Sequence, residues 1–293
     1  MPIPTRLLKR RIKSIGGTRK IMRAMELVAS SKMRRAVQMT LASRPYTALS
    51  VQIAKEIRQY VHTARHFLLA PHVSKGPALL LVVASDRGLC GGFNQQVARQ
   101  AITFVRERGI PAVRAVVVGR RAEQSLRREG VEIIASFPSL SNAPSFERAS
   151  PIAKLSVEEF LKGRVTSVWV AYTHFQSALS YTAQVEQVLP IMETEIAPAE
   201  EDEDVNEEPK LLMEPTPDEV LKRLLPRMVD MKLYQAVLES AASEHSARMV
   251  AMRNAKESAG EMLEDLTFTL NQARQSAITQ EISEISAGKA ALE

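Results

Sequence analysis

The 293-residue sequence predicts an α/β fold class of a particular plan: two long terminal helices that pair as an antiparallel coiled coil, with a mostly parallel sheet inserted between them. Three observations carry this expectation. The stretch from about Thr216 to Ala287 holds a three-and-four apolar alternation, the stretch from Thr5 to about Arg58 holds a second helical pattern, and the region between them alternates short β-branched runs with helical runs.

The C-terminal stretch comes first because it dictates the rest. Steps of three and four from Leu221 pass through Leu224, Met228, Met231, Gln235, Leu238, Ala242, His245, Met249, Met252, Lys256, Ala259, Leu263, Leu266, Leu270, Ala273, Ala277, Gln280 and Glu284; fourteen of the nineteen positions are apolar. Seventy helical residues at about 1.5 Å each extend roughly 105 Å, far beyond the width of one domain. Such a helix must leave the globular body and find a partner. Thr216-Pro217-Asp218-Glu219 supplies its N-cap, a first-turn proline and two acids at the positive end of the helix dipole. Pro226 is expected to kink it a few turns in, and Gly260 to be tolerated.

The N-terminal stretch contains no glycine except Gly16-Gly17 and no proline before Pro45. Leu8, Ile12, Ile15, Met22, Met25, Ala29, Ala36 and Met39 lie near one face, with the alternation slipping between Ile15 and Met22. The glycine pair predicts a bend or a close approach of two backbones there. Each terminal helix supplies the apolar stripe that the other must bury, so pairing them is the economical solution.

Between them, Leu79–Ala84, Val113–Val118, Val131–Phe137, Thr166–Tyr172 and Tyr181–Val188 read as strands, and 93–108, 120–129 and 151–162 as helices. Strand and helix alternating at these lengths predict a Rossmann-like α/β domain with a mostly parallel sheet. The last two strands are separated by only Thr173 to Ser180, too short for a parallel crossover, so one edge should be antiparallel. The boundaries are 1–70 for the N-terminal helix, 71–196 for the α/β domain, 197–215 for an acidic connector and 216–293 for the C-terminal helix.

Charge is unevenly placed. Residues 1–44 hold twelve Lys or Arg against the single acid Glu26, whereas residues 200–208 hold seven acids and no base. A basic helix of this kind either solvates its cations, neutralises nucleic-acid phosphates or faces an acidic protein surface. The longest apolar run near the middle, Ala78–Ala84, is far short of the roughly twenty residues of a membrane span. The single cysteine, Cys90, rules out a disulfide within the chain and fits a reducing compartment.

Ser85-Asp-Arg-Gly-Leu-Cys-Gly-Gly-Phe-Asn94 is the motif that most resembles a catalytic one, a glycine-rich turn between a first strand and a helix. It has neither the G-x-G-x-x-G spacing nor the Gly-Lys-Ser/Thr of a phosphate loop, so a tight packing turn is the better reading. Cys90 has no evident His or Asn partner in this stretch and reads as a small buried hydrophobe. His62 and His66 stand four apart as a metal pair would, but Thr63 replaces the glutamate of a zinc motif and no third ligand is evident. His72, His174 and His245 are scattered.

Three segments resemble one family. Residues 243–285, above all Asn271-Gln-Ala-Arg-Gln-Ser-Ala-Ile-Thr-Gln-Glu281, resemble the C-terminal helix of the gamma subunit of F-type (rotary) ATP synthase, bacterial type. Arg23-Ala-Met-Glu-Leu-Val-Ala-Ser-Ser-Lys-Met-Arg-Arg35 is similar to its N-terminal signature, and Asp86-Arg-Gly-Leu-Cys-Gly91 to its run after the first strand. The cysteine pair of thiol-switched plant-type members is missing here.

The resemblance implies a central rotor stalk that couples ion-driven rotation of the membrane c-ring to conformational change in the catalytic beta subunits. The chain would catalyse nothing itself and hold no cofactor or metal. Implied partners are three alpha and three beta subunits, epsilon and the c-ring. Positions matching the family's alpha/beta contacts are Met25, Arg248, Arg274, Gln275 and Thr279; Lys32, Arg34 and Arg35 join them on charge alone, as cations facing an acidic segment of beta, and the turn with Asp86, Arg87 and Cys90 as a beta-collar contact. Membrane association would run through the c-ring only, with no nucleic acid bound. The basic start imitates a mitochondrial transit peptide, yet it runs directly into the family motif, so a peripheral protein on the cytoplasmic face of a bacterial plasma membrane is the simpler expectation. Two alternatives make different demands: a nucleotide-dependent enzyme needs a phosphate site, and a basic coiled-coil nucleic-acid-binding protein needs steeply salt-dependent DNA binding.

Overall fold

The computed structural model describes residues 5–58, 60, 67–70, 76–110, 112–192 and 213–292, with the side chains of 288–292 excepted. His62, His66, His72 and most of the acidic connector lie outside the described residues. Ten elements follow in order: α1 (Thr5–Arg58), β1 (Ala78–Val83), α2 (Phe93–Glu107), β2 (Val113–Val118), α3 (Arg120–Arg128), β3 (Glu132–Phe137), α4 (Phe146–Leu161), β4 (Ser167–Phe175), β5 (Tyr181–Leu189) and α5 (Pro217–Leu292). The chain divides into two compact units, residues 30–247 and residues 1–29 with 248–293.

The larger unit is built on a five-stranded sheet of order β3-β2-β1-β4-β5. β1 pairs in parallel with β2 and β4, β2 pairs in parallel with β3, and β5 closes the edge antiparallel to β4. Every residue of β1 is buried, because a central parallel strand has both faces covered and cannot alternate apolar with polar. Period two then sorts its side chains. Leu80 and Val82, with Ala115, Val117 and Trp169, pack beneath α2 and α3 through Val97, Ala101, Ala122 and Leu126. Leu79, Leu81 and Val83, with Val168 and Val170, pack beneath α4, α5 and the end of α1 through Ile152, Phe160, Leu225, Val229 and Ile57. Each fully buried Leu or Val of this kind contributes roughly 1.5–3 kcal/mol against exposure.

The middle of α5 departs from a simple coiled-coil stripe. Every residue from Ala236 to Ala247 is buried, on all sides of the helix. Seven of its twelve residues are small: Ala236, Ser240, Ala241, Ala242, Ser243, Ser246 and Ala247 let the helix settle directly over the C-terminal ends of the parallel strands. Ser240 Oγ donates to Val83 O at 3.3 Å and Ser243 Oγ donates to Thr173 O at 3.3 Å, so α5 satisfies carbonyls of β1 and β4. In an open parallel sheet the crevice at the topological switch point, here between β1 and β4, is where a nucleotide would lie. In this chain α5 fills it.

Other boundaries shift modestly. α4 begins at Phe146 rather than Pro151, because Phe146 anchors the first turn edge-on against Tyr234 with ring centroids 5.7 Å apart. β4 continues to Phe175, leaving a hairpin of Gln176–Ser180. Pro226 sits inside α5, which continues through it.

In the smaller unit α1 and α5 run antiparallel. The least exposed positions of α1 from Leu8 onward include Ile12, Ile15, Met22, Glu26 and Ala29, a strict alternation of four and three with Arg19 in the remaining slot. The expected slip between Ile15 and Met22 is therefore absent. Arg19 holds the heptad position because Gly260 stands opposite it: a Cβ built on Gly260 would lie 3.8 Å from the Arg19 guanidinium. The close approach expected at Gly16-Gly17 does not occur, since nothing lies within 4 Å of a Cβ at either. On α5 the matching positions are Met252, Lys256, Ala259, Leu263, Leu266, Leu270 and Ala273, as the sequence periodicity predicts.

One titration is worth testing in the larger unit. Burial raises the Asp230 carboxyl pKa, and the nearby Arg227 and Lys154 offset this only in part. An acid with a raised folded pKa favours folding below its unfolded pKa, and that contribution is lost as pH rises through the folded value. Asp230→Asn should therefore raise the melting temperature by about 1 °C at pH 7, and the gain should vanish on titration below about pH 4. Thermal melts of the two proteins across that range check it; an equal gain at both ends would exclude the titration as its cause.

Candidate functional site

The candidate surface is made of exposed residues of the two long helices, α1 and α5. Of the twelve cations in residues 1–44, Arg44 alone forms an ion pair among the described residues, with Glu239 at 3.3 Å. The only acid of that segment, Glu26, is spent inside the seam, where it accepts from Lys256 Nζ at 2.8 Å. What remains is a run of exposed like charges along α1, and such a run becomes favourable when a carboxylate-bearing surface opposes it.

Of the residues singled out from sequence, Lys32, Arg34 and Arg35 belong to that run of cations and the others do not. Lys32, Arg34 and Arg35 are exposed on α1 in the larger unit, with Lys32 Nζ 3.5 Å from Asn142 Oδ1. Met25 is half-buried beside the α1–α5 seam of the smaller unit, and Arg248 is half-buried at the start of that unit's α5 segment. Arg274, Gln275 and Thr279 are fully on the surface, with Thr279 Oγ1 turned back to donate to Gln275 O at 3.0 Å.

The tip of α5 carries a feature that the sequence reading missed. From Arg274 to Ala287 every residue is exposed, including the seam positions Ala277, Gln280 and Glu284. The contact of Lys256 with Glu26 and of Gly260 with Arg19 sets an antiparallel register that uses up α1 before this point. Beyond it Ile278, Ile282 and Ile285 form a stripe at i, i+4 and i+7, exposed by 45%, 58% and 73%. Their spacing was visible, but only the register shows that α1 does not reach them.

The glycine-rich turn after β1 is knitted from within. Ser85 N and Ser85 Oγ both lie against Asn94 Oδ1, at 3.0 and 2.8 Å, and Asn94 Nδ2 donates to Cys90 Sγ at 3.1 Å. Asn94, which the motif does not mark as a partner for Cys90, is brought to it by the first turn of α2. Cys90 is 1% exposed and packs with Phe93 and Ala247, so this thiol is a structural plug. Asp86 is likewise turned inward: its carboxylate accepts from Arg120 N at 3.3 Å and Ser139 N at 2.9 Å, tying the turn to the start of α3 and to the segment after β3. Gly91 needs its positive φ of 57°, and Leu89 adopts the same left-handed region at 63°, 60% exposed at the tip. Of the turn's side chains beyond glycine, Arg87 and Leu89 are the exposed ones.

Among the described residues no group of three or more His, Cys, Asp or Glu is placed to hold a metal ion, and no helix is long and apolar enough to cross a membrane. The polar cluster of the larger unit, Glu239 with Arg44, His174 and Gln235, joins α1, β4 and α5.

Comparisons with known proteins agree over nearly the whole chain. A family model described as ATP synthase matches residues 5–292. The ATP synthase gamma chain of Dehalococcoides mccartyi (strain CBDB1) is 39% identical over 290 residues, covering 98% of each chain, and that of Moorella thermoacetica is 40% identical over 285 residues, covering 97% of this chain and 98% of its own. Among solved structures, a chain of the central stalk and c-ring of the Tetrahymena thermophila mitochondrial ATP synthase superposes with a TM-score of 0.60 at 25% identity, covering 80% of this chain and 99% of its own. A chain of the Euglena gracilis mitochondrial ATP synthase shares the fold with a TM-score of 0.67 at 17% identity, covering 98% of this chain and 94% of its own.

Proposed function

The chain belongs to the ATP synthase gamma-chain family, and from that premise we propose how its surfaces engage the rest of the complex. As a gamma chain it is the central stalk of the rotary enzyme, a non-catalytic subunit of a complex that makes or hydrolyses ATP. The crevice that would hold a nucleotide in a catalytic α/β fold is occupied by α5, consistent with that role. The relatives give no support to a nucleic-acid-binding reading of the basic helix.

The observation that carries the proposal is the bare tip of α5. A single helix with an Ile278, Ile282, Ile285 stripe and no partner among the described residues strands apolar area in water unless a collar surrounds it. We assign that collar to a ring of three alpha and three beta subunits around one copy of this chain. Arg274, Gln275 and Thr279 on the tip, with Met25 and Arg248 lower down, form its contacts with the ring. Lys32, Arg34 and Arg35 face acidic segments of beta. In the turn, Arg87 and Leu89 reach outward, while Asp86 and Cys90 hold the turn in shape from inside.

Epsilon and the c-ring attach to the α/β domain of residues 71–196, and association with the cytoplasmic face of a bacterial plasma membrane runs through the c-ring. The stretches 1–70 and 216–293 form the rod. Rotation transmits work because the rod is asymmetric: only different contact energies in three orientations can favour three different beta conformations.

Native mass spectrometry of this chain co-expressed with alpha and beta from the same source tests the assignment. The expected species contains three alpha, three beta and one copy of this chain. Arg274→Ala combined with Gln275→Ala should still assemble but lower ATP-driven ion transport roughly tenfold, as loss of a central polar contact does. A ring that never retains this chain, or full coupling in the double variant, would remove these contacts from the mechanism.

A further inference from the structure

We propose that the larger unit contains a binding site for a small, apolar ring compound bearing an N–H donor, in the cavity enclosed by α1, the β4–β5 hairpin and α5. The cavity holds about 350 Å³, within the range of small-molecule sites. Its floor is apolar, formed by Val51, Val188, Ile191, Met228, Val229 and Ala236. The two wall methionines, Met228 and Met231, bring flexible thioethers that adapt to flat rings.

The polar groups in the wall bear on the ligand's chemistry, because most of their own protons are already committed, the second N–H of Gln235 and the Lys232 ammonium aside. Thr47 Oγ1 donates to Ser43 O and Ser50 Oγ to Tyr46 O, each along α1. Gln235 Nε2 donates to Glu239 Oε1 at 2.8 Å, and Tyr172 OH donates to Glu186 Oε1 at 3.0 Å. Burial and the Glu186 and Glu239 carboxylates raise the Tyr172 pKa, so the phenol keeps this proton. Lys232 at the rim has a partner of its own.

The acceptor that the wall offers is Glu186. Glu186 Oε1 also takes a hydrogen bond from Gln184 Nε2 at 2.8 Å, whereas among the described residues Oε2 takes none. A ligand that brings a donor to Glu186 and buries its rings against the floor satisfies both halves of the site. One that brings an anion meets a carboxylate instead. Nothing in this argument depends on the stalk role, and an occupant would join α1, the hairpin and α5 through one molecule.

The test uses the full-length chain with methyl-labelled methionine and N-phenyl-1-naphthylamine as probe, followed by NMR. Met228 and Met231 should shift saturably with one probe per chain, while Met22 and Met262, which belong to the smaller unit, stay fixed. Ala236→Leu and, from the opposite wall, Ser50→Leu should each weaken binding at least about tenfold by filling the space; the second keeps the test decisive if the first fails to fold. Phenyl naphthyl ether, which has no N–H, should bind about tenfold more weakly than the amine. Uniform shifts of all methionines, or undiminished binding in a folded filling variant, would overturn the site; equal affinity for the ether would overturn the donor requirement.

Discussion

Gly119→Ala will destabilise the larger unit by about 3 kcal/mol or more, lowering its melting temperature by roughly 10 °C. Gly119 lies between β2 and α3 with φ 89° and ψ 140°, a conformation that an L side chain rarely adopts. A Cβ there would lie 2.3 Å from Ala84 O and 2.9 Å from Ser85 C. Both atoms are backbone at the end of the central strand, where Ala84 N is itself bonded to Val118 O, so neither can swing aside. Gly16→Ala is the matched control. It sits in α1 with nothing near the added carbon, and should gain up to about 1 kcal/mol from helix propensity. Thermal unfolding of both variants decides the matter, and a Gly119→Ala protein that melts within a degree of the parent would refute the clash.

Glu239→Ala is the second large effect, with an expected loss of about 3 kcal/mol. The Glu239 side chain is 5% exposed and accepts from Arg44, His174, Gln235 and the backbone N–H of Phe175. Its removal strands the Gln235 amide and the Phe175 N–H in a place that water reaches poorly, and a stranded donor costs more than a formed bond gains. Arg44→Ala should cost under about 1 kcal/mol, because the Arg44 side chain is 43% exposed and solvent already screens it. Urea denaturation of the two single variants and the double variant measures the coupling; equal costs for Glu239→Ala and Arg44→Ala would show that the buried acceptor has no special weight.

The strands were legible because a central parallel strand must be apolar throughout, and β1 to β5 fall within a few residues of their expected places. The α1 seam was legible only in part. Counting apolar residues alone, the alternation slips after Ile15, since Arg19 and Glu26 hold seam positions as charged residues. Their acceptability depends on the opposing chain, where Gly260 leaves room for one and Lys256 neutralises the other. Glu26, the only acid among twelve cations, and Lys256, a lysine on an apolar seam, were the two signals that together pointed to a pair. The bare tip of α5 was hidden for a similar reason: periodicity marks a stripe but not where its partner ends.

The sequence by itself determined the family, the two long helices, the succession of strands and helices along the inserted domain, and the antiparallel edge that the short Thr173–Ser180 connection demands. These follow from local periodicity, turn length and motif, which each segment carries alone. The tertiary structure decided that the Ala-Ser run of α5 seats in the crevice at the ends of β1 and β4, and that Asp86 faces inward. Small residues suit a helix–helix seam and a helix–sheet contact equally well. Only the position of the strand carbonyls, which Ser240 and Ser243 satisfy, chooses between them.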